Sequence, residues 1–251
     1  MQRKAIRLGS ATLGVALAGT MLTAAPATSM PAADTERAPG WTSTFNANKN
    51  GWANVRGNWF LGGGQLRNNG IAGKRTSVKH HNNYSNFYYR VDMWRRGNST
   101  GHAANTLVVR GNPNRLVGVG DWKPSYMFQY TNIGYFSIWR NNPDGTYTAL
   151  KGWTKTDAIK GSGGYNRVEV WANGSNFDFH INGRHLWALN HNGNSFGQVG
   201  VSVYTEPGKN SFTRLNFAKL TPIGSRAAHQ HQNDLGAKTV GGGSINLSPT
   251  R

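Results

Sequence analysis

The apolar positions of this chain alternate over short runs. From Asn86 onward the segments Asn86–Arg95, Asn105–Arg110, Ser125–Asn132, Tyr135–Arg140, Tyr147–Trp153, Arg167–Ala172, Asn176–Ile181, His185–Leu189, Gln198–Thr205 and Ser211–Leu220 are rich in Val, Ile, Phe, Tyr, Trp and Thr. Gly, Asn and Pro clusters separate them. Short, regularly spaced strands with turn signals between them predict an all-β, two-sheet antiparallel sandwich or barrel, and no stretch holds a helical period. In the first segment Tyr89, Val91 and Met93 fall on one face, and Tyr88, Arg90, Asp92 and Trp94 on the other.

The region 167–187 predicts a three-stranded meander. Val168, Val170, Phe177, Phe179, Ile181 and Leu186 form its apolar face; Arg167, Glu169, Trp171, Asp178, His180, His185 and Trp187 lie opposite. Asn182-Gly183 supplies the residues of a type I′ hairpin turn. Gly62-Gly63-Gly64 reads as another hairpin turn. The strand-bearing unit runs from about 41 to 223. Residues 224–251 contain few large apolar side chains and a Gly-Gly-Gly run, and are expected to be a disordered tail.

The N-terminus has a different pattern. Arg3, Lys4 and Arg7 precede a small-residue, apolar stretch from Leu8 to Leu22, followed by Thr23-Ala24-Ala25-Pro26-Ala27-Thr28. This is the organisation of a secretory signal, expected over residues 1–27, with cleavage after Ala27 or after Ala33 and a Pro/Ala-rich flexible leader over 28–40. Gly and Thr dilute the stretch too much for a membrane anchor, so the expected mature protein is secreted, extracellular or cell-surface, and free of the membrane. The absence of cysteine excludes thiol catalysis, zinc–thiolate sites and iron–sulfur clusters.

Charge narrows the partners. Between Trp41 and Ile223 there are 21 Lys and Arg against 7 Asp and Glu, a formal excess of 14. Such a surface favours polyanions. The cations are scattered singly, without the runs of a nucleic-acid arm, so the expected partner is an anionic polysaccharide or cell-wall glycan, with no specific nucleic acid.

Several segments resemble known proteins. Phe45…Gly51-Trp52…Gly57-Asn58-Trp59…Gly63-Gly64-Gln65-Leu66, Tyr84–Val91, Leu107-Val108-Val109-Arg110, Tyr126–Tyr130, Tyr165–Val170 and Ile181-Asn182-Gly183 resemble the strands of DUF1080-type domains, also labelled 3-keto-disaccharide hydrolases. Phe177–Leu186 is similar to a galectin back-sheet hairpin. The resemblance implies a concanavalin A-like jelly roll, the fold of legume lectins, laminin G modules, galectins and glycan-active enzymes. It also implies a concave sheet built from the strands of Phe87–Trp94, Leu107–Arg110 and Tyr126–Tyr130, with the Asn-Gly hairpin on the convex back sheet. Met127 stands where DUF1080 domains often carry Glu, and Asn112-Pro113-Asn114-Arg115 with Trp122 only loosely echoes the galectin sugar-binding set. The clustered acids of family 16 glucanases are absent.

On that arrangement the expected ligand groove holds Tyr88, Arg90, Asp92, Trp94, Arg110, Gln129 and Trp139. Aromatic rings stack on sugars, and Arg pairs bidentately with carboxylates. Arg110 is expected to touch ligand without carrying the fold. The meander face, with His180, His185 and Trp187, is the second choice. Hydrolysis normally needs two carboxyl groups across the scissile bond, and only Glu169 with Asp178, near-opposite on the meander and helped by His180, suggests itself. A uronate lyase drawing on Tyr88, Arg90, Arg110 and Gln129 is the other enzymatic reading. The shortage of acids favours a non-catalytic glycan-binding domain, and a structural cell-surface protein held by charge is the third class. No cofactor or metal is implied by the residues, although relatives of the fold carry calcium in loops.

Overall fold

The computed structural model describes residues 38–49, 51–97, 101 and 103–224. The expected signal segment, most of the leader and nearly all of the expected tail lie outside the described residues. Within them the chain forms β1 (Trp41–Ser43), β2 (Trp52–Arg56), β3 (Trp59–Leu61), β4 (Leu66–Asn69), β5 (Lys74–Tyr84), β6 (Phe87–Gly97), β7 (Ala104–Gly111), β8 (Leu116–Val117) and β9 (Asp121–Trp122). It continues with β10 (Ser125–Thr131), β11 (Tyr135–Asn141), β12 (Tyr147–Lys155), β13 (Tyr165–Asn173), β14 (Asn176–Ile181), β15 (Arg184–Asn190), β16 (Gly197–Thr205) and β17 (Ser211–Pro222).

Two large antiparallel sheets result. The first, sheet A, has the order β15-β14-β13-β6-β17-β4-β3, with β1 also on β17; the second, sheet B, runs β12-β11-β10-β7-β16-β5-β2. A small β8–β9 ladder stands apart. The sandwich closes on one continuous core. Phe87, Tyr89, Val91 and Met93 of β6, with Val168, Val170, Phe177, Phe179 and Ile181, meet Leu107, Val109, Tyr126, Phe128, Tyr130, Val199, Val201 and Val203 from sheet B.

Alternation behaves as expected along β6, where buried and half-buried residues succeed each other from Phe87 to Trp94. The Asn182-Gly183 turn has positive φ at both positions, 54° and 81°, as a type I′ turn requires. The fold is the all-β, concanavalin A-like jelly roll.

Candidate functional site

The expected groove does not form. Tyr88, Arg90, Asp92 and Trp94 lie on β6 in sheet A, whereas Arg110, Gln129 and Trp139 belong to β7, β10 and β11 of sheet B. The chain crosses from one sheet to the other between β6 and β7, so the two halves of the set face opposite sides of the sandwich. The β6 residues instead share their outer face with the meander, because β6 pairs directly with β13. The strand expected to complete a concave sheet thus sits beside the Asn-Gly hairpin.

That shared face is internally paired. Arg90 grips Asp92 through two hydrogen bonds of 2.9 and 2.7 Å. The Tyr88 hydroxyl donates to Glu169 at 2.5 Å, and burial together with this bond raises its pKa. Glu169 is register partner to His180, and Asp178 to Trp171, so the two carboxylates sit diagonally rather than opposite. Asp178 lies 3.6 Å from His185, whose ring meets that of His180 with centroids 5.1 Å apart. Trp187 leaves this face altogether. A bulge between Phe179 and His180 sets Trp187 in register with Phe179, and its ring lies 3.8 Å from Lys151 Nζ of β12, across the sandwich. The extra residue shifts the period of two, which a pattern reading assumes is unbroken. Among the described residues no cluster of three or more His, Asp or Glu is placed to hold a metal.

The outer face of sheet B is covered. Trp122, at the end of the β8–β9 arm, donates its indole N–H to Ser77 at 3.0 Å. Asp121 beside it pairs with Arg75 and accepts from the Tyr147 hydroxyl at 3.0 Å. A side chain on Gly200 would collide with the Trp122 ring, so the ring rests directly on the β16 backbone. Gln129 is buried here, with Ser137 donating to its side-chain oxygen at 3.5 Å. Trp139, half-buried, donates to Ser137 at 3.1 Å. Burial withdraws Gln129 from a ligand, whereas Trp139 keeps part of its ring open.

Arg110 has a different role from the one expected. Its φ is +48°, in the left-handed region, which breaks the alternation of β7 and swings the side chain toward the end of the sandwich. The guanidinium is buried, stacks 4.7 Å from the Phe177 ring, and donates to the carbonyls of Ser85, Gly174 and Asn194 at 2.6–3.1 Å. Burial lowers its pKa to about 10. It ties three loops together and keeps little for a ligand.

Those loops border a concavity. A cavity of about 500 Å³ is lined by Asn83, Asn112, Asn114, Asn194, Gln198 and Phe196 together with Gly111, Pro113, Pro124, Gly193, Ser195 and Gly197, and Arg110 forms part of its floor. A second cavity of about 240 Å³ adjoins it, shares Arg110, Asn194 and Ser195, and adds Asn86, Ser175 and Asn192. Among the described residues no carboxylate lines either. Phe196 is 63% exposed at the rim, the most exposed large apolar side chain among the described residues.

The segment 191–197 is held in place by Tyr126. Its hydroxyl accepts from the backbone N–H of Gly193 at 2.8 Å and of Asn194 at 3.2 Å, and it meets His191 Nδ1 at 2.7 Å. Gly193 N–H also donates to His191 Nδ1, at 3.1 Å, which makes that nitrogen an acceptor and the ring neutral. Burial, then the nearby Arg140, lowers the His191 pKa. Alternation along the sequence does not reveal this cleft, because it is built from loops, whose side chains have no period. Two signals point to it: the loose galectin echo in Asn112-Pro113-Asn114, all three of which line the cleft, and the density of Asn and Gly in Asn190–Gly197 with a lone Phe inside it.

No family model matches the chain, and neither does any curated protein. Solved structures do match. The carbohydrate-binding module CBM66 from Bacillus subtilis superposes with a TM-score of 0.53 at 16% identity, over 66% of this chain and 93% of that one. A Bacillus licheniformis β-glucanase gives 0.57 at 10% identity, over 74% and 99%. A β-1,3-1,4-glucanase derived from a mouse hindgut metagenome gives 0.55 at 9% identity, over 74% and 100%. At these identities the likeness is one of fold, and the fold this chain shares with all three is the concanavalin A-like jelly roll.

Proposed function

We propose that this protein is an exported, non-catalytic glycan-binding domain whose ligand enters the loop cleft floored by Arg110. The observation that carries the reading is the lining of that cleft: side-chain amides, an exposed Phe196 and no acid. Sugar hydroxyls both donate and accept hydrogen bonds, and an amide side chain answers both. The apolar face of a pyranose stacks on an aromatic ring. The cleft volume falls in the range of small-ligand sites.

The same lining bears on the ligand's charge. The Arg110 guanidinium is engaged by three carbonyls, so the cleft offers hydroxyl recognition rather than a carboxylate clamp, and a neutral sugar suits it best. Hydrolysis by a carboxylate pair has no footing in the cleft, and Glu169 and Asp178 lie on the outer face of sheet A instead. Neighbours of the same fold include both a carbohydrate-binding module and glucanases, which suits a glycan ligand under either reading.

The test is affinity electrophoresis of wild type and Phe196→Ala against soluble glucans, mannans and xylans. Loss of one stacking ring is expected to weaken retention by about tenfold or more, near 1.4 kcal/mol, with no change in melting temperature because Phe196 is exposed. Equal retention of the two proteins on every polysaccharide that binds rules out the cleft.

A further inference from the structure

The outer face of sheet A has a second feature, at the end of β6 away from the cleft. Arg67 of β4 and Arg214 of β17 are direct register partners, and Trp94 of β6 lies next in the same row. Like charges directly opposite on neighbouring strands destabilise a sheet. Here no acid offsets them: among the described residues, Arg67, Arg214, Arg96 and Lys219 make no ion pair. Of the acids of this face, Glu169 and Asp178 lie on β13 and β14 and interact with Tyr88 and His185, while Asp92, two residues before Trp94 on β6, is taken up by Arg90 and Arg167.

The two guanidinium groups are nevertheless held in place. Arg214 stacks 4.5 Å from the Trp94 ring and 5.0 Å from Phe212. Arg67 lies against the Gly62-Gly63 turn, where a side chain on Gly63 would meet its Nη2 at 2.5 Å. This gives the glycine run a reason beyond the turn itself. The Nε of each arginine is shielded from solvent and has no hydrogen-bond partner. Tyr165 and Gln65 join at 2.7 Å across the width of this region. Alongside, a cavity of about 490 Å³ is lined by Asn69, Arg96, Asn210, Ser211 and Phe212.

An arrangement that costs stability and persists points to a ligand that relieves it. We propose that Arg67, Arg214 and Arg96 form a binding surface for the carboxylates of an acidic polysaccharide, with Asn69 and Asn210 beside them for its hydroxyls. A guanidinium fork matches a carboxylate bidentately. With Arg214 lying over Trp94 and Phe212, the guanidinium N–H edges are what this surface offers, and these suit a carboxylate; single-stranded nucleic acid is the alternative that the experiment below tests. The site is separate from the loop cleft: Trp94 lies seven residues along β6 from Phe87 at the cleft end, roughly 23 Å at the usual strand rise.

The experiment compares wild type with the double variant R67Q/R214Q, measuring affinity for polygalacturonate, for single-stranded DNA and for a neutral polysaccharide retained by the cleft. The double variant is expected to lose about tenfold or more for polygalacturonate, to keep its neutral-glycan binding, and to melt no lower than wild type, because a repulsion is gone. Unchanged polygalacturonate affinity overturns the proposal, and so does wild-type binding to DNA as tight as to polygalacturonate. If the double variant melts lower because Arg214 packs on Trp94, the single variant R67Q, at a side chain packed against the Gly62-Gly63 turn, is decisive. A loss of about threefold or more supports the site, and no loss overturns it.

Discussion

At the residue scale, Arg110 shows how one backbone angle redirects chemistry. Read as a strand residue it points outward to a ligand; with φ at +48° it turns into the end of the sandwich and binds three loop carbonyls. Removing it leaves those carbonyls short of a charged donor and a cavity over Phe177. Arg110→Ala is therefore expected to cost about 2–4 kcal/mol, read as a shifted denaturant midpoint with unchanged slope, and to weaken glycan binding through loss of loop order. An unshifted midpoint contradicts this role. His191 adds a pH dependence to the same loops. The unfolded chain binds the proton more readily, because the folded value is lowered. The contribution of neutral His191 is complete above the ordinary histidine value of about 6.5 and is lost as pH falls from there through the folded value. Cleft binding should weaken over that window, and His191→Gln, which keeps an acceptor without titrating, should flatten the profile. A wild-type profile flat from pH 7.5 to 5 contradicts the assignment.

At the scale of elements, the β8–β9 arm decides what sheet B can do. Its Trp122 occupies the outer face over Gly200 and is bound to Ser77, while Asp121 pairs with Arg75. Trp122→Ala removes a fully buried indole and is expected to cost about 3–5 kcal/mol, and Gly200→Ala to destabilise by displacing the ring from the β16 backbone. Thermal melts check both, and a Gly200→Ala protein as stable as wild type means the arm is loosely seated. The arm also explains which strands were readable. β6, β13 and β14 bury one face, so their alternation announces both strand and face. β7 and β10 are buried on both faces, and their strands show in the sequence while their outward residues do not. β5 does not announce itself in the sequence: Arg75, Thr76, Ser77 and His80 are polar yet buried, the arm meeting Arg75 and Ser77 from outside while Asn68 of β4 takes Thr76 and the rings of Trp41 and Trp52 enclose His80 from within. Sheet membership was equally hidden. Consecutive strands usually pair, but β6 and β7 do not, and no residue in between marks the crossing.

At the scale of the whole molecule, the formal charge of +18 is unevenly used. The cleft floored by Arg110 is lined by amides, glycine and Phe196, whereas unpaired cations gather on the outer face of sheet A around Arg67 and Arg214. The expectation of one basic, aromatic groove merged two surfaces that the fold keeps apart. Its acidic-glycan component rests with the arginine face, and its aromatic stacking component with the cleft. Salt separates them in solution. Binding to acidic polysaccharide should weaken steeply as ionic strength rises past the point where screening shortens to about 8–10 Å, while neutral-glycan binding in the cleft should barely respond. Parallel salt dependences for the two ligands, measured on one surface plasmon resonance chip, indicate a single diffuse surface. Amide-resolved NMR titration with a neutral oligosaccharide tests the placement of the glycan in the cleft. Shifts are expected at Gly111–Asn114 and Gly193–Gln198, with the amides of β13, β14 and β15 unmoved. Shifts centred on Glu169, His180 and His185, with the cleft amides silent, contradict it.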